Sequence, residues 1–153
     1  MAKIFISYAG LDRDEVDCLL PRVERILPTV RECLLELWEF RTGLVAGQPV
    51  DREIQRQLRS SDLVVVMVSY DWLKSRYSIE GELHRAIGLG IPVLPVQLKR
   101  VGRNRDRGAV GELWMFGEDR AYEEIVDKPG RNAFADGLVS EVVRLLENGA
   151  AAA

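Results

Sequence analysis

The sequence predicts an α/β fold in three layers, with a parallel five-stranded sheet in the order 2-1-3-4-5 and helices on both faces. Three observations carry that expectation. Short apolar, β-branched runs alternate along the chain with stretches of helical spacing, which is the pattern of βαβ units joined by right-handed crossovers. One run, LVVVMV at 63–68, is six unbroken apolar residues, as a strand covered on both faces requires. The length, 153 residues with 47% hydrophobic and 29% charged side chains, suits one soluble domain around a single core. In so short a chain this alternation gives the flavodoxin-like arrangement.

Each element has its own warrant. KIFISY at 3–8 is the first strand, ended by the polar AGLDRDE. From about Asp14 to Leu27, Val16, Leu19, Leu20, Val23, Ile26 and Leu27 recur at three- and four-residue spacing, the mark of an amphipathic helix. Pro21 falls inside that pattern and should kink it or delay its start, and Pro28 marks its end. ECLLELW at 32–38 is strand two, and the EFRTGLVAGQP that follows is a long loop bearing Gly43, Gly47 and Pro49. Asp51 to Leu58 is a short polar helix with Ile54 and Leu58 on one face. After the third strand a turn covers Ser69 to Ser75. The next helix runs from about Ser78 to Leu89, with Ile79, Leu83, Ala86 and Ile87 inward and Gly90 at its C-cap. IPVLPVQL at 91–98 holds two prolines and belongs near the sheet edge. ELWMFG at 112–117 is a short fifth strand, and Ala133 to Leu146 is the last helix. Residues 1–148 therefore read as one domain and 149–153 as a tail, an artificial end or the remnant of a linker.

Composition narrows the function. Twenty-one Lys and Arg against 24 Asp and Glu give a net charge of −3 and a pI near 5.3, so no global positive field is available for nucleic acid or an anionic membrane. With no long apolar run and no signal-peptide pattern at the start, a cytoplasmic location is expected. Cys18 and Cys33 lack metal-ligand spacing and are expected to be buried and reduced. The sole histidine, His84, leaves no metal cluster and argues against Ser-His or Cys-His hydrolases. Neither GxxxxGK[ST] nor GxGxxG follows strand one, and Ser69 stands where a phosphoacceptor domain needs a carboxylate. Lys99 to Arg107 holds five basic residues and one acidic residue, a local +4. That segment reads as a solvated loop or as a docking patch for an acidic partner.

In a doubly wound sheet, ligands bind beyond the carboxyl ends of strands one and three, where the strand order reverses. Ser7, Tyr8 and Gly10 follow the first strand, and Ser69 and Tyr70 the third. On the next helix Glu80 and Glu82 flank the apolar stripe on opposite sides, and periodicity does not choose between them. Arg41 and Arg13 are the arginines whose guanidinium forks would meet a phosphate. Trp38 and Trp72 read as lids of the core, and His84, turned away from Glu82, as a surface residue.

FISYAGLD, the glycine-bearing loop after strand two, SDLVVVMVSYDWLKSRYSIEGELHRAI and GIPVLPV, in that order, resemble a Toll/interleukin-1 receptor (TIR) domain of the bacterial type. The resemblance runs from about Lys3 to Leu98 and returns faintly in the last helix. It implies one of two activities. Many such domains are NAD⁺ nucleosidases that release nicotinamide and ADP-ribose or a cyclic isomer, with no cofactor beyond the substrate; others only assemble. The resemblance makes Glu82 the catalytic carboxylate, preceded by Ser75 and Tyr77 and followed by Leu83. By position at the strand ends and in the loop, together with the resemblance, the expected substrate-binding set is Tyr8, Ala9, Gly10, Arg41, Ser69, Tyr70 and Tyr77, and the implied interaction loop contains Gly43, Leu44 and Gly47. Implied partners are NAD⁺, a second TIR domain and other domains of a longer parent protein. The loop departs from the family pattern, since strand two runs into Trp38, Glu39 and Phe40 where an aspartate is usual. A third reading is a nucleoside hydrolase or deoxyribosyltransferase, which would also use a glutamate borne on a helix.

Overall fold

The computed structural model describes residues 1–40 and 52–152. Its elements are β1 (Ala2–Ala9), α1 (Arg13–Val30), β2 (Cys33–Phe40), α2 (Arg52–Arg59), β3 (Leu63–Val68), α3 (Tyr70–Ser75), α4 (Glu80–Gly88), β4 (Val93–Gln97) and α5 (Lys128–Ala152). All strand pairs are parallel and the order is β2-β1-β3-β4. Alternation along the strands divides the core into two layers. Ile4, Ile6, Val65, Met67, Leu94 and Val96 meet α1 and α5, whereas Phe5, Ala9, Val64, Val66 and Val68 meet α2, α3 and α4.

Four strands form the sheet among the described residues, not the five the sequence suggests. The segment 112–117 contributes one parallel bridge, Val96 to Phe116, in which Gln97 N donates to Phe116 O and Phe116 N to Pro95 O, both at 2.8 Å. A 3₁₀ helix, Gly108–Glu112, occupies the start of the expected strand, and Gly117, at φ +78, turns the chain out of the extended region beyond it, so pairing is confined to Phe116. The same bridge explains why Pro95 is tolerated inside β4. Its carbonyl points outward to Phe116, so its missing N–H would have faced the outer edge rather than β3.

Neither proline behaves in α1 as the sequence suggests. The helix begins at Arg13 and passes through both Pro21 and Pro28 to Val30. The two are seven residues apart, on the exposed side, and the carbonyls they deprive belong to Asp17 and Glu24, also exposed residues on the solvent face. The opposite side, Val16, Leu19, Leu20, Val23 and Leu27, is buried and holds the helix in place. The presumed turn at 69–75 is the helix α3, started by a serine cap. Helix α4 is shorter than 78–89, with Leu89 as its C-cap and Gly90, at φ +82, one position beyond. Cys18 is exposed, because it lies off the α1 stripe, and Cys33 is half-buried on the edge strand β2; both are free thiols. The last helix is longer than 133–146 at both ends.

Surface ion pairs and loop hydrogen bonds set an acid limit. Hydrogen bonding from Arg22 holds the Asp136 carboxyl below its ordinary range, and Arg56 does the same for Glu53. Asp106 is lowered by the Gly108 N–H and then by Arg76, and Glu124 by the Ala121 N–H and then Arg100. Each of these groups binds its proton more readily in the unfolded chain. Their contribution is therefore complete above the unfolded carboxylate range, about pH 4, and fades as the pH falls through the lower folded values. Melting temperatures followed by circular dichroism should fall steadily from about pH 4 to pH 2.5; a constant melting temperature over that range would contradict this assignment.

Candidate functional site

At the carboxyl ends of β1 and β3 the chain buries a polar network. Ser69 caps α3, its Oγ accepting from Trp72 N at 3.0 Å and donating to Asp12 Oδ2. The indole Nε1 of Trp72 donates to Ser7 Oγ at 3.0 Å. Ser7, Asp12, Ser69 and Trp72 are all fully buried. Lys99 Nζ, two residues past the end of β4, closes the network 3.0 Å from Asp12 Oδ1 and 3.6 Å from Glu15. Burial alone would lower the Lys99 ammonium, but the Asp12 hydrogen bond and charge, with Glu15 and Glu123, hold it above the ordinary lysine value. The Ser69 hydroxyl is thus committed both as donor and as acceptor.

The sequence-derived candidates separate into three places. Tyr8 is buried on β1 and its hydroxyl donates to Glu39 Oε2 at 3.2 Å, with Arg13 3.6 Å from the same oxygen. Burial first, and then Glu39, raises the Tyr8 phenol. Ala9 is buried beside it in the α2–α3–α4 layer, and Gly10 opens a single 3₁₀ turn, Gly10–Asp12. Tyr70 and Tyr77 lie elsewhere, 40% and 52% exposed, and line one open cleft of about 250 Å³ with Arg76, Arg105 and Asp106. Arg105 covers the Tyr70 ring at 4.7 Å and Arg76 the Tyr77 ring at 4.5 Å. The Tyr70 phenol accepts from Gly102 N at 3.2 Å, and that bond, with Arg105, lowers its pKa. Arg41, Gly43, Leu44 and Gly47 lie outside the described residues.

Glu82 occupies the third place. It is buried, 6% exposed, on α4 where that helix meets α2. Oε1 accepts from Arg85 at 3.0 Å, and Oε2, which has no hydrogen bond, lies 3.5 Å from Arg59 Nε on α2. Glu80 points to other partners: Arg76 Nε at 3.4 Å, the Ala109 N–H, and His84 at 3.3 Å. The two glutamates that periodicity leaves equivalent therefore differ in surroundings. Sequence reasoning missed both arginine partners of Glu82. Arg85 was readable as an i+3 neighbour; Arg59 was not, since only the tertiary fold brings α2 against α4.

Of the remaining candidates, Trp72 is core and Trp38 packs at the edge of the same layer. The basic residues of segment 99–107 each have a partner, although Arg100, Arg103 and Arg105 stay exposed. Arg100 pairs with Glu124 at 2.6 Å, Arg103 and Arg107 each approach Glu118 at 3.6 Å, Arg105 stacks on Tyr70 and Lys99 holds Asp12. Among the described residues no cluster of His, Cys, Asp and Glu could hold a metal ion, and no helix is long and apolar enough to cross a membrane.

A family model for the TIR domain matches residues 4–128. The chain belongs to the TIR domain family. A relative, the uncharacterized protein y4lF of Sinorhizobium fredii (strain NBRC 101917 / NGR234), is 28% identical over 90 residues, covering 57% of this chain and 26% of that protein. The chain thus spans about a quarter of that relative's length. The family match takes in β1 through β4, the Tyr8 and Tyr70–Tyr77 positions and Glu82. In this TIR domain the Ser69–Asp12–Lys99 network ties the start of α3 to the segments that follow β1 and β4.

Proposed function

We propose that this TIR domain is an NAD⁺ nucleosidase, cleaving the bond between nicotinamide and ribose with Glu82 as its catalytic carboxylate. The observation that carries the reading is Glu82 itself, a buried carboxylate on α4, the second helix after β3, with one oxygen lacking a hydrogen bond. Nicotinamide in NAD⁺ is already a cationic leaving group, so no general acid is required. The transition state carries oxocarbenium charge on the ribose, as in glycoside cleavage. A carboxylate held against that charge stabilises it and orients the attacking water or hydroxyl. Tyr70 and Tyr77, the exposed pair that lines one cleft, supply aromatic faces for a base, while Tyr8 acts from beneath as part of the wall at the end of β1. NAD⁺ is a cytoplasmic metabolite, and we extend the proposal to cytoplasmic defence or stress signalling, with self-association through TIR–TIR contacts.

A second reading, a TIR–TIR interaction module without catalysis, draws on Arg59 and Arg85: a carboxylate opposed on both oxygens also serves to fasten α2 to α4. Chromatography of NAD⁺ incubated with concentrated protein separates the two. Free nicotinamide, with ADP-ribose or a cyclic isomer, is the result expected of the enzyme. Intact NAD⁺, even with a crowding agent present to force assembly, would leave the interaction module.

A further inference from the structure

Helix α2 carries Arg52, Arg56 and Arg59 at i, i+4 and i+7, so all three leave one side of the helix while Ile54 and Leu58 are buried on the other. Like charges at this spacing disfavour a helix unless anions lie among them. Arg56 has Glu53 at 2.6 Å, Arg59 has Glu82 at 3.5 Å, and Arg52 has no ionic partner among the described residues. With Gln55 and Ser60 the three arginines line an open cleft of about 490 Å³. One wall of that cleft is the same Arg59 that reaches Glu82.

The two pairs at Glu82 are unequal. Arg85 makes a hydrogen bond to Oε1 at 3.0 Å, whereas Arg59 lies 3.5 Å from an Oε2 that receives none. The looser partner is the one shared with the cationic cleft, and its side chain is half exposed, able to turn toward a ligand. A carboxylate opposed by two guanidinium groups stabilises an oxocarbenium ion poorly, and removing one of them restores its field. Phosphate competes well for such a group, since a guanidinium fork binds two phosphate oxygens at once.

Resting on the nucleosidase reading, we propose that Arg59 is a clamp released by the substrate. In the free protein it opposes the Glu82 charge. The pyrophosphate of the dinucleotide, received on the arginine face of α2, draws Arg59 across and leaves Glu82 to the ribose. Arg59 is then a positioning residue that couples recognition of a doubly anionic linker to the charge at the reacting centre. The arrangement favours a dinucleotide over a nucleoside bearing the same glycosidic bond.

The test uses Arg59→Gln and Arg59→Lys beside the parent, on NAD⁺ and on nicotinamide riboside, which has the bond but no phosphate. Arg59→Gln should raise KM for NAD⁺ about tenfold, the loss of one charge-assisted contact, with kcat unchanged or higher. It should raise kcat/KM for nicotinamide riboside, and Arg59→Lys should recover most of the NAD⁺ KM. A fall in kcat on both substrates, or no change on either, overturns the clamp. A binding arm needs no turnover: inorganic pyrophosphate is titrated calorimetrically into the parent, Arg59→Gln and Glu82→Gln. Glu82→Gln, which frees Arg59, should bind pyrophosphate more tightly than the parent, and Arg59→Gln about tenfold more weakly. That order of affinities without nicotinamide release would defeat the nucleosidase reading while leaving the exchange at Arg59 standing. Equal affinities in all three proteins would defeat the exchange even where NAD⁺ is cleaved.

Discussion

Replacing Glu82 with Gln should lower the rate of nicotinamide release from NAD⁺ by roughly 10²–10³-fold, the effect of deleting one preorganised charge at a transition state. Shape is retained, so the loss reports the charge. The fold should survive, because the cations left behind, Arg59 and Arg85, are 50% and 55% exposed and return to water rather than being stranded. Product chromatography gives the rate, and a thermal melt of the same sample shows that the protein is folded. Full activity in the variant would move the chemistry to another carboxylate, Glu80 being the first to examine. Its ties to Arg76, His84 and the Ala109 N–H place it in a different network.

The largest effect on stability is expected at Trp72. Its side chain is fully buried in the α2–α3–α4 layer, and its indole N–H satisfies the buried Ser7 hydroxyl. Trp72→Ala should cost about 3–5 kcal/mol for the cavity, with roughly 1–3 kcal/mol more if Ser7 is left unsatisfied. Against a total of about 5–15 kcal/mol for an ordinary domain, this brings the fold near its limit. Trp72→Phe keeps most of the apolar volume and loses the hydrogen bond, so a smaller loss is expected. Urea denaturation of the two variants compares the terms. A cost below about 2 kcal/mol for the alanine would mean that neighbouring side chains refill the space.

What was legible in the sequence follows from what is local. LVVVMV at 63–68 reads as β3 because no amphipathic element has six apolar residues in a row, and β3 spans those residues. The α1 stripe was equally plain, but the cost of its prolines depended on which side they face, which the local rule ignores. Helix α3 was missed although Ser69 is a strong cap with Asp71 in the first turn. Its six residues are too few for periodicity to register. The fifth strand failed at both ends, since Glu112 closes a 3₁₀ helix and Gly117 turns out of the extended region. In the site, the positions of Tyr8, Tyr70 and Glu82 came from motif and strand order. The partners that set their chemistry, Glu39 for Tyr8, Gly102 for Tyr70 and Arg59 for Glu82, are 31, 32 and 23 residues away in the chain, beyond any local pattern.

The family match ends at residue 128, where α5 begins. Yet Leu138, Val142 and Leu146 of α5 share the core layer with the apolar stripe of α1, and Arg22 reaches Asp136 across 114 residues of chain. During synthesis that stripe has only the sheet to pack on until α5 leaves the ribosome, so part of the layer stays open to solvent in the interval. Trimming the protein at the family boundary would make that interval permanent. Such a fragment would be sticky rather than minimal, and work on the isolated domain should keep the helix that family comparison leaves out.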